Sequence, residues 1–150
     1  MIRLLILLSA FAVVSACSQG PESPRGFSLP EGDVEQGKAV FNDYECLACH
    51  TLKGYQDTDV EKELDTPVKL GGEVVKVKTY AELLTSIINP SHRIAPGYEE
   101  EVVTDERGES RMRNYNDVMT VSELIDLVAF LETHYVLNPY PRTEYHMYYP

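Results

Sequence analysis

The sequence contains no tryptophan and has few basic residues for its length. Its 150 residues include 24 Asp and Glu against 13 Lys and Arg, which gives a net charge of −11. Such an acidic chain is a poor electrostatic match for nucleic acid or for an anionic membrane surface. It favours a protein partner with a basic docking patch. The length suits one domain with a modest hydrophobic core.

Cysteine is also scarce, and the three cysteines divide into one single residue and one close pair. Cys46 and Cys49 are followed directly by His50, whereas Cys17 stands alone, so no second pair remains for a structural disulfide. Two thiols three residues apart, with a histidine after the second, are typical of covalent attachment of one c-type haem. Each sulfur can add to one haem vinyl group, and the imidazole of His50 can bind the iron from the proximal side.

Two other interpretations of the thiol pair are a structural zinc site and a redox-active dithiol. A zinc site would need a second pair of Cys or His ligands, and a thioredoxin-like dithiol would be expected within a βαβ pattern. The sequence shows neither, and both interpretations leave His50 unexplained. Haem attachment is therefore the predicted chemistry.

The longest apolar run lies at the N-terminus and is too short to span a membrane. It covers residues 4–14 and follows Arg3, which is typical of a secretion signal over residues 1–16. The four residues that end at Cys17 resemble the lipobox of bacterial lipoproteins. That resemblance implies cleavage before Cys17 and a diacylglyceryl group on its thiol. Ordinary secretion with a free Cys17 is the alternative.

The chain after the signal predicts a tethered domain outside the cytoplasm. Residues 17–32 are rich in Pro, Gly and Ser, which is typical of a flexible tether. Export agrees with haem attachment, because that chemistry takes place outside the cytoplasm in bacteria. We expect a lipid anchor in the bacterial cell envelope, on the periplasmic side. In lipoproteins of Gram-negative type, Ser18 after the lipidated cysteine slightly favours the outer membrane.

The segment before the haem motif predicts a helix that another helix crosses closely. Asp33 is a suitable N-cap, and Gly37 stands in mid-helix four residues before Phe41. Together with the haem motif, this pattern resembles the small monohaem cytochromes c. The resemblance covers residues 33–137 and implies a mainly α-helical fold around one haem, with room for a minor β-hairpin. It also implies that the first helix packs against the last one near Phe130.

The chain directly after the haem motif is polar and acidic. Residues 51–69 carry nearly alternating carboxylates, which predict a solvated loop. In the resembled family, a proline soon after the motif accepts a hydrogen bond from the haem histidine and fixes its ring. The resemblance therefore implies this role for Pro67.

Three local signals follow that loop. Residues 70–72 predict a turn, and a short exposed strand through Val75 and Val77 comes next. The capping box at residues 79–82 opens a predicted helix. Two extended runs around a glycine-containing turn predict a hairpin that leads into Met112.

The second axial ligand of the iron must come from the chain after the motif. The candidates are Met112, Met119, Met147, His92, His134 and His146. Met119 has a structural role available, because it precedes the capping box of the last helix and can pack on Leu124 as a hydrophobic staple. Met112 lies between two arginines in a polar loop, and the resemblance places the axial methionine several residues before the last helix. We therefore predict Met112 as the sixth ligand, with His92 and Met119 as the main alternatives.

One feature departs from the resembled family, which commonly has proline after the axial methionine. This sequence has Arg113 there, so an open or exchangeable sixth position is an alternative. Arg111 and Arg113 form a local positive patch that could offset a haem propionate or orient a partner.

The C-terminal part predicts a closing helix and an aromatic tail. Residues 121–135 carry a broad apolar face. Residues 138–150 are rich in Tyr and Pro, and we expect them to dock on the domain itself. His146 and Met147 are poor ligand candidates, because a tail needs additional ordering to reach the iron.

The resemblance implies a one-electron carrier with a single haem c, attached to Cys46 and Cys49 and ligated by His50 and Met112. Redox proteins are the expected partners. No nucleophile and base pair is evident, so we expect neither enzymatic activity nor a small-molecule substrate. One alternative is a cytochrome subunit of a dehydrogenase or oxidase complex. Another, motivated by Arg113, is a haem-based ligand sensor.

Overall fold

The fold is mainly α-helical in residues 28–56, 59–75 and 79–138, which are the residues that the computed structural model describes. The α-helices there are α1 (Val34–Asp43), α2 (Tyr80–Ile88), α3 (Glu100–Val103) and α4 (Val121–Glu132). Short 3-10 helices cover Cys46–Ala48 and Pro90–His92. The strands are β1 (His50–Leu52), β2 (Val68–Leu70), β3 (Gly72–Val74) and β4 (Tyr135–Leu137). The predicted fold class is confirmed.

Several predicted features fall outside these residues. They are the signal peptide, Cys17, most of the tether, Val77, and the tail with His146 and Met147. Among the helices that the structure describes, none is both long and apolar enough to cross a membrane.

The first and last helices cross in close contact at Gly37. A Cβ atom added at Gly37 would lie 2.7 Å from the Cβ of Phe130 and even closer to the backbone carbonyl of Asp126, so a larger residue does not fit. One helical turn later, the ring centroid of Phe41 lies 5.4 Å from that of Phe130. Both rings are almost fully buried. The predicted crossing of the two helices is confirmed.

Side-chain caps fix the starts of the three longer helices. The carboxylate of Asp33 accepts hydrogen bonds from two N–H groups in the first turn of α1, as predicted. The N–H of Asp33 in turn donates to Asp126 Oδ1 of α4 at 2.8 Å, so the last helix also positions the start of the first. The predicted capping boxes at Thr79 and Thr120 are both present. These bonds satisfy N–H groups that have no partner within their own helix.

The helices and the segment around the haem motif share one hydrophobic core. Its buried members are Val40, Phe41, Leu47, Leu52, Leu83, Ile87, Leu127, Val128, Phe130 and Leu131. Because α2 and α4 both contribute to this cluster, their apolar faces lie beside the residues that surround Cys46 and Cys49.

The short strands form two parallel pairs. β1 pairs with β2 so that His50 lies opposite Val68, and β3 pairs with β4 so that Gly72 lies opposite Tyr135. The strand predicted through Val75 does not include this residue, since β3 ends at Val74, and Val75 is exposed as predicted. Each pair joins segments that are distant in sequence.

The hairpin predicted before Met112 is wrong in its first arm, which forms α3 instead of a strand. The N–H and Oγ1 of Thr104 both donate to the carbonyl of Glu100, at 2.8 and 2.7 Å, and close a helical turn there. The predicted turn is present, with φ +75° at Gly108. An isolated antiparallel bridge between Thr104 and Ser110 joins its two sides.

The last helix ends earlier than predicted, at Glu132 rather than Tyr135. The hydroxyl of Thr133 donates to the carbonyl of Phe130 at 2.7 Å, and Nδ1 of His134 lies 2.9 Å from the same oxygen. These side chains take the place of backbone donors from a further helical turn. The chain can then enter β4 at Tyr135.

Replacing Gly37 by alanine tests the helix crossing, because the crossing decides whether the free energy of unfolding falls or rises. Helix propensity alone predicts that Gly37→Ala stabilises the protein by about 1 kcal/mol. The close approach of Asp126 and Phe130 predicts instead a loss of about 1–3 kcal/mol. Denaturant unfolding of the haem-loaded protein measures the difference. Gln36→Ala, at an exposed position of the same helix, is the control and should change stability little. A stabilised Gly37→Ala protein would contradict the crossing.

Candidate haem-binding site

The four predicted site residues of the domain line one cavity. This cavity has a volume of about 480 Å³, and Cys46, Cys49, His50 and Met112 all contribute to its surface. Small-molecule and cofactor sites commonly enclose about 300–1,000 Å³. The apolar part of its wall includes Leu83, Ile87, Leu127 and Leu131. Residues from the motif, from α2 and from α4 therefore surround a single space.

The two thiols lie on a tight turn that follows α1 directly. Glu45 has a left-handed backbone with φ 50°, and its carbonyl accepts the N–H of Ala48 at 2.8 Å. The N–H of Cys49 lies 3.4 Å from the carbonyl of Cys46, which continues this turn as a short 3-10 helix. Both cysteines are free thiols. The turn thus places two sulfur atoms on the cavity with no disulfide between them.

The loop after the motif returns and binds its backbone. Three successive carbonyl oxygens accept hydrogen bonds from this loop at 2.6–2.9 Å. The pairs are Leu47 with Lys62 Nζ, Ala48 with the N–H of Glu63, and Cys49 with the N–H of Val68. The prediction of a solvated loop for residues 51–69 is therefore wrong for the part that packs against the motif.

The carbonyl of Val68 holds the imidazole of His50, so the role that the family resemblance implies for Pro67 is wrong. Nδ1 of His50 lies 3.2 Å from the carbonyl oxygen of Val68, which is its partner in the β1–β2 pair. A carbonyl can only accept, so Nδ1 donates and Nε2 keeps a free lone pair. Burial lowers the pKa of His50, against the opposing effect of the Val68 hydrogen bond. The neutral imidazole that iron requires is thus the favoured form.

The environment of the thiols argues against a redox-active dithiol and against zinc. Burial raises the pKa of Cys46 to about 12, and burial together with the nearby Glu63 carboxylate raises the pKa of Cys49. Reactive dithiols need a lowered pKa, because the thiolate is the nucleophile. Within the described residues, no cluster of His, Cys, Asp and Glu side chains has the arrangement of a metal site.

Among the residues that the structure describes, two of the candidate sixth ligands line the cavity, whereas His146 and Met147 lie outside those residues. Met112 and Met119 both line the cavity and are partly buried against the core. His92 is exposed, with Nδ1 2.8 Å from the carbonyl of Asn89. The ring of His134 packs against that of Phe130, with 4.6 Å between the ring centroids, and His134 does not line the cavity.

Two charged residues at the cavity form a contact that the sequence does not predict, although Arg113 belongs to the predicted positive patch. Glu63 and Arg113 both line the cavity and form an ion pair with each other. Glu63 Oε2 also lies 3.7 Å from the sulfur of Cys49. Glu63 is one carboxylate in a nearly alternating acidic run, so nothing in its sequence neighbourhood distinguishes it.

A comparison with known families agrees with this geometry. The model of the family described as Cytochrome c matches residues 34–134, about two thirds of the chain. This chain belongs to the cytochrome c family. A cytochrome c domain binds haem c covalently and transfers electrons. No curated protein and no solved structure gave a match.

The residues of this cytochrome c domain fit such a group. Two free thiols and a neutral imidazole with an available Nε2 line one cavity of suitable volume, and the thioether side chain of Met112 lines the same cavity. Cys46 and Cys49 would carry the haem, and His50 would bind its iron from the proximal side.

Removing the side-chain donor of Lys62 tests whether its hydrogen bond to the motif backbone stabilises the protein. Lys62→Met keeps a long side chain but leaves the carbonyl of Leu47 without its 2.6 Å partner. We expect a loss of about 0.5–1.5 kcal/mol in unfolding free energy, the usual net value of one hydrogen bond. Chemical denaturation of the haem-loaded protein measures it. Lys53→Met, at another exposed position, is the control, and equal effects of the two variants would contradict this role of Lys62.

Proposed function

We propose that this protein is a one-electron carrier with a single haem c, attached to Cys46 and Cys49 and ligated by His50 and Met112. The observation that carries the proposal is that these four side chains line one cavity in a cytochrome c domain. The haem iron supplies the reversible one-electron step. The protein orients the imidazole through the carbonyl of Val68 and surrounds the site with apolar side chains.

Met112 is proposed over Met119 because of its place in the chain. Met119 directly precedes the capping box of α4, where a structural role explains it. Met112 lies in a loop outside the helices and strands of the described chain, and its N–H donates to Ser110 Oγ at 3.2 Å. Methionine ligation together with an apolar pocket favours the ferrous state and raises the reduction potential.

A carrier of this kind needs no catalytic acid, base or substrate pocket. His50 and Met112 would both ligate the haem iron, so no small molecule would have to bind it. We therefore propose that the protein is not itself an enzyme. Its partners would be redox proteins, and the net charge of −11 favours those with a basic docking patch.

We also propose that the protein is anchored by lipid at Cys17 in a bacterial cell envelope, on the periplasmic side. The support is the apolar run over residues 4–14 and the lipobox-like residues that end at Cys17. Residues 17–32 would then serve as a tether between the membrane and the haem domain. Ser18 slightly favours the outer membrane.

Spectroscopy of the haem-loaded protein tests the proposed ligands. The ferric wild-type protein should show the weak near-infrared band of sulfur-to-iron charge transfer, and the ferrous protein should not bind carbon monoxide. Met112→Ala should abolish the band and allow carbon monoxide to bind, because the sixth position is then vacant. Met119→Ala should keep the band. Rapid binding of carbon monoxide by the wild-type protein would favour a ligand sensor and contradict the carrier.

The anchor is tested by replacing Cys17 with serine. Cys17→Ser should move the haem protein from the membrane fraction to the soluble fraction, because a hydroxyl cannot carry the diacylglyceryl group. Ser18→Ala keeps the cysteine and should remain in the membrane fraction. Fractionation followed by haem staining measures the distribution. A Cys17→Ser protein that stays with the membrane would contradict lipid attachment at this residue.

A further inference from the structure

We propose that Glu63 and Arg113 form an ion-pair latch that joins the Met112 loop (residues 104–120, between α3 and α4) to the haem-attachment segment (residues 46–50) and keeps Met112 on the iron. The inference rests on the proposed ligation by Met112. Neither residue is a ligand, so both act by positioning the loop.

One set of contacts of the Met112 loop is with α2, with α3 and with the segment between them. It consists of three hydrogen bonds at 2.9–3.1 Å. They join the N–H of Arg111 to Val103 O, the N–H of Ser110 to Ser91 Oγ, and Asn116 Nδ2 to Ile88 O. These bonds fix the loop relative to α2 and α3, but they do not connect it to the segment that carries Cys46 and Cys49.

The ion pair between Arg113 and Glu63 makes that connection across 50 positions of sequence. Arg113 is the residue next to Met112. Glu63 is itself fixed to the motif, because its N–H donates to the carbonyl of Ala48 at 2.9 Å. A second contact, from the hydroxyl of Tyr44 to the carbonyl of Val118 at 3.2 Å, joins the loop to the residue after α1 and lies farther along the loop.

The Glu63 carboxylate remains available to Arg113 when haem is attached. One of its oxygens lies 3.7 Å from Cys49 Sγ, which is a thiol in this structure. In the haem-loaded protein this sulfur belongs to a thioether and has no hydrogen to donate. The Glu63 carboxylate then loses the Cys49 thiol as a donor but can still accept from Arg113. The pair would thus link the residue next to Met112 to a segment that is covalently joined to the haem.

The latch should affect the release of Met112 more than global stability. The side chains of Arg113 and Glu63 are 59% and 40% exposed, and exposed ion pairs contribute little to the free energy of folding. Release of one axial side chain requires only a local opening of the loop, and the pair acts directly on that equilibrium. The usual strength of an exposed pair corresponds to a change of about 1.4- to 5-fold in such an equilibrium.

A charge effect and a latch predict different patterns in the single variants. If the two residues acted only through their charges near the haem, Glu63→Gln and Arg113→Gln would have opposite effects. If they act as a latch, each variant breaks the same contact and both have the same effect. The double variant then adds nothing to the single ones, because the contact is already lost.

Imidazole binding to the ferric haem-loaded protein is the test, because this probe is neutral near pH 8 and competes with Met112 for the iron. Glu63→Gln, Arg113→Gln and the double variant should each bind imidazole about 1.4- to 5-fold more tightly than wild type. Their unfolding midpoints should stay close to that of wild type. The control is Arg107→Gln, which removes an exposed arginine paired with Asp105 and Glu109 and should leave imidazole binding unchanged.

Four results would overturn the latch: opposite shifts in the two single variants, additive shifts in the double variant, an equal shift in Arg107→Gln, or unchanged binding in both single variants.

The near-infrared band of the wild-type protein separates failure of the latch from failure of the proposed function. If the band is present and the variants behave as wild type, only the latch is wrong. If the band is absent, ligation by Met112 fails and the latch fails with it.

Discussion

The carbonyl oxygen of Asp126 occupies the space that any side chain at position 37 would need, and the arrangement of the domain depends on this contact. It brings α1 and α4 together closely enough for Phe41 and Phe130 to bury each other's rings. The turn with Cys46 and Cys49 follows α1 directly, so the crossing also sets where the two sulfur atoms lie. α4 in turn supplies Leu127 and Leu131 to the wall of the cavity.

The two sides of the haem cavity are built by different means. On the proximal side, the backbone of the motif binds to the returning loop, and the β1–β2 pair places the carbonyl of Val68 at Nδ1 of His50. Two of the bonds to the motif, from the N–H groups of Glu63 and Val68, are made by backbone alone. On the distal side, the Met112 loop is held largely through side chains, among them Arg113 and Asn116. The proposed proximal ligand His50 therefore has a partner placed by a strand pair, whereas the proposed ligand Met112 lies in a loop held largely by side chains.

The features that could be predicted from sequence are those encoded by residues close together in the chain. The haem motif, the cap at Asp33 and the capping boxes each need no more than five neighbouring residues, and Gly37 is conspicuous in the middle of a helix. The parallel strand pairs join distant segments, so the role of Val68 was assigned to the adjacent Pro67. Valines at 102 and 103 favoured a strand, whereas the bonds of Thr104 close a helical turn. The choice of Met112 over Met119 stays a prediction, because both line the cavity.

The β3–β4 pair has a consequence for how the domain folds. It joins the chain that follows the haem motif to the chain that follows α4, with Gly72 opposite Tyr135. Gly71, directly before β3, lies close to the residue directly before β4, since a Cβ atom added at Gly71 would lie 2.7 Å from the carbonyl oxygen of His134. With the contact between α1 and α4, the β3–β4 pair joins the beginning, middle and end of the domain through contacts that close long loops. Such non-local contacts slow folding relative to a simple helical bundle, and they favour a cooperative transition in which no single helix is stable by itself.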